Sequence, residues 1–99
     1  MMFNTQSISD ICLRYRIKEL SLFGSAATGE MRPDSDVDIL VEFLPGAKIS
    51  LFDMVNLREE LKTVFEREVD LVSKNAVLRH HNELRRKSIL ENTKSLYAA

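Results

Sequence analysis

The sequence predicts an α/β or α+β domain with a small sheet of about three strands packed among helices. Three observations carry this expectation. Residues 36–43 alternate apolar and polar side chains with the period of a strand. Residues 4–16 and 51–65 repeat their apolar positions with the period of a helix. Helical and extended stretches also take turns along the chain, the order expected of a sheet covered by helices.

The first helix is expected over Asn4–Arg16, with Ile8, Ile11, Cys12 and Tyr15 on its apolar side and Asn4, Thr5 or Ser7 as its cap. Glu19–Phe23 is short, apolar and ended by Gly24, so it reads as a strand. Ser25–Glu30 reads as a brief helix with Gly29 near its end, and Met31–Ser35, with Pro33 and Asp34, as a loop. In Asp36–Phe43, Val37, Ile39, Val41 and Phe43 point one way and Asp36, Asp38, Leu40 and Glu42 the other. Leu44-Pro45-Gly46 turns the chain. Ser50 or Asp53 caps a helix to about Phe65, whose apolar side takes Leu51, Met54, Val55, Leu57, Leu61, Val64 and Phe65. Glu68–Val72 is a third short strand, and a last helix is expected from Ser73 or Asn75 to about Leu96.

With 99 residues, 44% hydrophobic and 29% charged, the chain is expected to form one soluble domain, 1–99. Collagen-like, low-complexity and disordered classes are excluded. Net charge is −1, with 5 Lys+Arg against 7 Asp+Glu in residues 1–50 and 9 against 8 in 51–99. General affinity for nucleic acid is therefore not expected. No apolar run approaches the ~20 residues of a membrane span, and the N-terminus lacks a signal-peptide pattern. One cysteine, Cys12, permits no disulfide framework. The expected location is the cytoplasm.

Three strings carry chemistry: Phe23-Gly24-Ser25-Ala26-Ala27-Thr28-Gly29, Asp34-Ser35-Asp36-Val37-Asp38 and Val69-Asp70-Leu71-Val72. Strand alternation puts Asp36 and Asp38 on one face with Cα atoms about 6.8 Å apart. Carboxylates that close oppose each other's ionisation unless cations lie between them. Asp70 interrupts an apolar strand, where a lone charge is costly, and its strand can bring it to the other two. Oxygen-only donors suit Mg²⁺ or Mn²⁺ better than Zn²⁺. Gly24-Ser25 ends a strand and opens a helix, whose free N–H groups suit a phosphate. Alone, a Gly-Ser turn is ordinarily only a turn, and Asp-Ser-Asp a solvated loop. An EF-hand is excluded because Ile39 stands where its glycine belongs, and a Walker A loop because no Gly-Lys-Ser/Thr follows Gly29. The fixed order of the pieces points to nucleoside triphosphate chemistry.

Gly24-Ser25, ten residues, then Asp36-Val37-Asp38 resembles the signature of the DNA polymerase β-like nucleotidyltransferase superfamily. Leu22-Phe23, Gly29-Glu30, Arg32-Pro33-Asp34-Ser35 and Ile39-Leu40-Val41-Glu42-Phe43 fit its flanks, and the length is similar to the minimal nucleotidyltransferases. The resemblance covers roughly residues 17–75. It implies a mixed sheet of three to four strands flanked by helices. It implies Asp36, Asp38 and Asp70 as catalytic residues and ligands of Mg²⁺, two ions, with Mn²⁺ an alternative. It implies Gly24 and Ser25 as contacts of the ATP phosphates. Its partner would be a HEPN-domain RNase toxin, with this chain the antitoxin that transfers AMP to a toxin tyrosine. Relatives often carry arginine where this chain has Ala26 and Thr28, so a phosphate clamp is missing or Arg32 supplies it. The alternative is an antitoxin that neutralises by binding alone.

The stretch with Arg79, His80, His81, Arg85, Arg86 and Lys87 reads as a solvated helix face, or as a contact for an acidic partner or RNA. Adjacent His80 and His81 diverge on a helix and make poor co-ligands. Cys12 reads as a small core residue. Apolar area left exposed on so small a domain would favour a homodimer or a hetero-oligomer.

Overall fold

The structure, a computed structural model, describes residues 4–24, 36–78 and 93–99. The order is α1 (Thr5–Arg14), β1 (Ile17–Leu22), β2 (Val37–Phe43), α2 (Leu51–Phe65), β3 (Val69–Ser73), α3 (Lys74–Leu78) and β4 (Lys94–Ala98). The expected brief helix 25–30, the loop 31–35 and the basic stretch 79–87 lie outside the described residues.

Local chemistry starts the helices where the sequence places caps. The Asn4 side chain accepts hydrogen bonds from the N–H groups of Gln6 and Ser7 at 2.9 and 3.2 Å. Ser50 and Asp53 form a reciprocal capping box, with the Asp53 N–H on Ser50 Oγ at 3.2 Å and the Ser50 N–H on Asp53 Oδ2 at 2.9 Å. Each such cap satisfies donors the helix itself leaves unpaired. The Ser73 hydroxyl accepts from the Ala76 N–H at 3.1 Å, so Ser73 starts α3.

The strands form one mixed sheet in the order β3-β2-β1-β4. β1 pairs antiparallel with β2 and β4, and β2 pairs parallel with β3 through the α2 crossover. The α1 residues Ile8, Ile11 and Cys12 and the α2 residues Leu57, Leu61 and Phe65 pack on Leu20, Leu22, Val37, Ile39 and Val41 of the sheet. Both long helices therefore cover one face. The opposite face carries a smaller apolar cluster of Phe23 and Leu40, with Val72 against it. Glu60 ties α2 to α1 by accepting from the Arg14 guanidinium and the Tyr15 hydroxyl. Arg14, with Tyr15 in support, holds the Glu60 carboxyl below its usual range. Burial, reinforced by Glu60, pushes the Tyr15 phenol up to about 12. Burial likewise pushes the Cys12 thiol up to about 12, so it stays protonated core.

Two expectations are corrected. The last helix does not run to Leu96; Lys94–Ala98 is a strand on the outer edge of β1. Thr93-Lys94-Ser95 carries no helical apolar repeat, so the local preference is weak. The open β1 edge supplies hydrogen bonds instead, ending with the Ala99 N–H on the Lys18 carbonyl at 2.7 Å. On α2, Leu51 is 80% exposed and Val55 also faces outward. At 3.6 residues per turn, Val55 lies about 160° and Leu51 about 120° around the helix from Leu57, so neither can share its buried side.

Leu57→Ala should destabilise the protein by about 2–5 kcal/mol in denaturant unfolding, since Leu57 is fully buried between α1 and the sheet. Leu51→Ala should shift stability by no more than about 0.5 kcal/mol.

Candidate active site

The parallel pairing of β2 with β3 builds the site. The Val37 N–H donates to the Glu68 carbonyl at 2.8 Å, and the ladder then sets Val37 opposite Val69 and Asp38 opposite Asp70. Paired residues of neighbouring strands lie about 4.8 Å apart and point to the same face. Val37, Ile39 and Val41 are fully buried in the helix-covered core. Alternation therefore sends Asp38 and Asp70 to the opposite face, beside Phe23, Leu40 and Val72. Asp36 sits just before β2 in an exposed position, and Asp70 is exposed as well.

Asp38 is the half-buried member. Burial holds its carboxyl above the ordinary value, and the charges of Asp70 and then Asp36 add to the rise. Asp38 thus feels both other carboxylates where the strands end. The negative charge gathered there is unfavourable until a cation or a protein donor offsets it.

Gly24 completes the geometry. The chain leaves β1 through Phe23, whose N–H donates to the Asp38 carbonyl at 3.0 Å. Gly24 then takes φ +62, in the left-handed region. A Cβ built there would lie 2.8 Å from Asp38 Oδ2. The missing side chain leaves room for the Asp38 carboxylate. The sequence reading assigned Gly24 to phosphate approach; its packing on Asp38 needed the fold to see. The Phe23–Leu40–Val72 floor was also missed, although Leu40 gave a signal as an apolar residue on the polar side of β2. Ser25, Ala26, Thr28 and Arg32 lie outside the described residues.

The donor set fits a hard divalent cation: carboxylate oxygens only, with Asp38 pressed toward its neutral form by burial and then by its neighbours' charges. Among the described residues no three His, Cys, Asp or Glu side chains come close enough to hold a metal ion by themselves. Mg²⁺ is commonly bound by one or two carboxylates plus substrate phosphates rather than by a closed protein cage, and an open carboxylate edge has that form.

The family model of the nucleotidyltransferase domain matches residues 6–96. A Methanocaldococcus jannaschii protein provisionally named as protein adenylyltransferase MJ0435 is 43% identical over 72 residues, covering 73% of this chain and 75% of its own. A solved structure provisionally named as a minimal nucleotidyltransferase superposes with a TM-score of 0.71 at 30% identity, covering 91% of this chain and 86% of the other. A chain in the structure of tri-AMPylated Shewanella oneidensis HEPN toxin in complex with MNT antitoxin superposes with a TM-score of 0.62 at 20% identity, covering 96% and 70%. That last likeness is one of fold.

Two outcomes follow from the geometry. Gly24→Ala should lower stability by about 1–2 kcal/mol for the left-handed backbone alone and should displace the Asp38 carboxylate, a double effect checked by unfolding and by nucleotide binding. Asp38→Asn should melt higher than the parent at neutral pH. The raised Asp38 value penalises the ionised fold, and that penalty fades as pH falls through the raised value toward the ordinary 3.8, so the two melting curves should converge in acid.

Proposed function

The chain belongs to the nucleotidyltransferase domain family, and on that premise we propose that it transfers AMP from ATP to a tyrosine hydroxyl of a cognate HEPN-domain RNase toxin, acting in the cytoplasm as the antitoxin of the pair. The observation that carries this reading is the pairing of Asp38 with Asp70 beside a glycine that yields space to the Asp38 carboxylate. Two comparisons support the acceptor class: the M. jannaschii relative carries the name of a protein adenylyltransferase, and the Shewanella complex contains a HEPN toxin bearing AMP.

In this reading Asp36, Asp38 and Asp70, together with the nucleotide phosphates, would hold Mg²⁺, two ions, with Mn²⁺ acceptable to the same oxygens, and the metal would supply neutralisation of the triphosphate charge. Gly24 and Ser25 take the phosphates through backbone N–H groups and the Ser25 hydroxyl. Asp70, exposed on the site face, accepts the proton of the acceptor hydroxyl. The hydroxyl oxygen bonds to the α-phosphorus as the bond to the β-phosphate oxygen breaks, and pyrophosphate leaves.

The test is the intact mass of the cognate HEPN-domain protein after incubation with this protein, ATP and Mg²⁺. One or more added AMP units are expected. Asp36→Asn with Asp38→Asn should slow the transfer at least about 10³-fold, as loss of several kcal/mol of metal-borne stabilisation requires. A stable complex with no mass change would overturn the transferase reading in favour of neutralisation by binding.

A further inference from the structure

The sheet face opposite α1 and α2 holds a second apolar cluster, to which the transfer reaction gives no direct part. Phe23 is 8% and Leu40 5% exposed, and Val72 packs against them. This cluster is separate from the main core, to which Leu22, Ile39, Val69 and Leu71 of the same three strands contribute on the helix-covered face. Each of its members neighbours one residue of the site. Phe23 directly precedes Gly24, Leu40 follows Asp38 by two residues, and Val72 follows Asp70 by two. Leu40 and Val72 therefore share a strand face with their carboxylates. The ladder repeats the relation across strands, with Asp38 opposite Asp70 and Leu40 opposite Val72.

Tolerances at the site are narrow. The Phe23 N–H reaches the Asp38 carbonyl at 3.0 Å, and a Cβ on Gly24 would lie 2.8 Å from Asp38 Oδ2. A small movement of the β1 end against β2 therefore drives backbone into the carboxylate. Asp70 is held less directly. β3 ends the sheet and, among the described residues, pairs with β2 and no other strand. Ladder bonds fix its register, but the twist between paired strands varies by tens of degrees from sheet to sheet, so side chains must set its angle. Val69 and Leu71 hold β3 from the helix-covered face, and Val72 holds it from the site face. Leu40 is the centre of the second contact, because β2 lies between β1 and β3.

We propose that Phe23, Leu40 and Val72 are positioning residues of the site, whose packing sets where Gly24 and Asp70 stand relative to Asp38. This role rests on the proposed reading of the carboxylate edge as the metal- and nucleotide-binding site. Packing that served stability alone would need no fixed relation to that edge. Here every member lies one or two residues from a site residue, and the cluster spans the three strands that carry Gly24, Asp38 and Asp70. Geometry of this kind is sharply felt, since a misplacement of about 1 Å can cost about 10²-fold in rate. Truncating Leu40 removes the contact at the centre of the cluster, so Asp38 and Asp70 lose their fixed separation while the main core stays filled.

The test measures binding of Mn²⁺ with ATP by titration calorimetry, and AMP transfer to the HEPN-domain protein by intact mass. It compares the parent with Leu40→Ala, Leu40→Met and Leu61→Ala. Leu61 is fully buried in the main core, so Leu61→Ala brings a comparable loss of stability without touching the second cluster. All are measured at about 15 °C, near the usual temperature of maximum stability, on samples shown to be folded by circular dichroism. Leu40→Ala should raise the Kd for Mn²⁺ with ATP at least about tenfold and slow transfer about 10²-fold. Leu61→Ala should stay within about twofold of the parent, and Leu40→Met, which conserves volume, within about threefold. Val72→Ala, at a partly buried position, carries the comparison if Leu40→Ala does not fold, with a rise in Kd of at least about threefold. A Leu40→Ala protein that binds like the parent, or a Leu61→Ala protein that loses as much affinity as Leu40→Ala, would overturn the positioning role. A parent that binds Mn²⁺ with ATP but leaves the HEPN-domain protein unmodified would overturn the proposed acceptor alone, and the Kd comparison would still decide the positioning role. A parent that does not bind Mn²⁺ with ATP would overturn both.

Discussion

The parallel ladder between β2 and β3 is the interaction on which the site depends. It sets Asp38 against Asp70, a juxtaposition that electrostatics alone would oppose. The hydrophobic core overrides that repulsion. Val37, Ile39 and Val41 are fully buried under α1 and α2, and a slip of one residue would turn them to solvent and drive carboxylates inward. Three alkyl side chains so buried are worth together about 4.5–9 kcal/mol, more than the few kcal/mol that two partly solvated like charges cost at this range. The fold therefore keeps its acidic edge as a by-product of a register held elsewhere.

The two faces of the sheet do different work. The helix-covered face supplies the core and is closed at its rim by Glu60, which joins α2 to Arg14 and Tyr15. The other face is thinly apolar, with Phe23, Leu40 and Val72 forming a floor next to the carboxylates. Burial is the largest cause of the raised Asp38 carboxyl. The same half-burial would strengthen any interaction Asp38 makes with a cation, because the local dielectric is lower than that of water. Gly24 belongs to this arrangement through sterics: its left-handed backbone and missing Cβ leave Oδ2 of Asp38 its position.

The distribution of apolar side chains on α2 separates stability from surface. Leu57, Leu61 and Phe65 recur every four residues and face the core. Leu51, Phe52 and Val55 fall outside that stripe and stay exposed. The segment leading into α2 is nevertheless tightly held by the capping box and by the Leu44–Arg16 backbone bond.

Much of the architecture was legible because it rests on short-range rules. Period-two alternation marked β2, capping chemistry marked Asn4 and Ser50, and the four-residue stripe marked the buried side of α2. The type and order of residues around Gly24, Asp36, Asp38 and Asp70 also sufficed for the family. What the chain could not announce were pairings between distant segments. Lys94–Ala98 is a strand because β1 has an edge to fill, not because those residues prefer extension. Leu51 and Phe52 are exposed because both lie off the Leu57–Leu61–Phe65 stripe that the fold turns toward the sheet. Asp38 meets Asp70 and Gly24 because three strand ends converge, a relation between backbones that residue types alone do not encode.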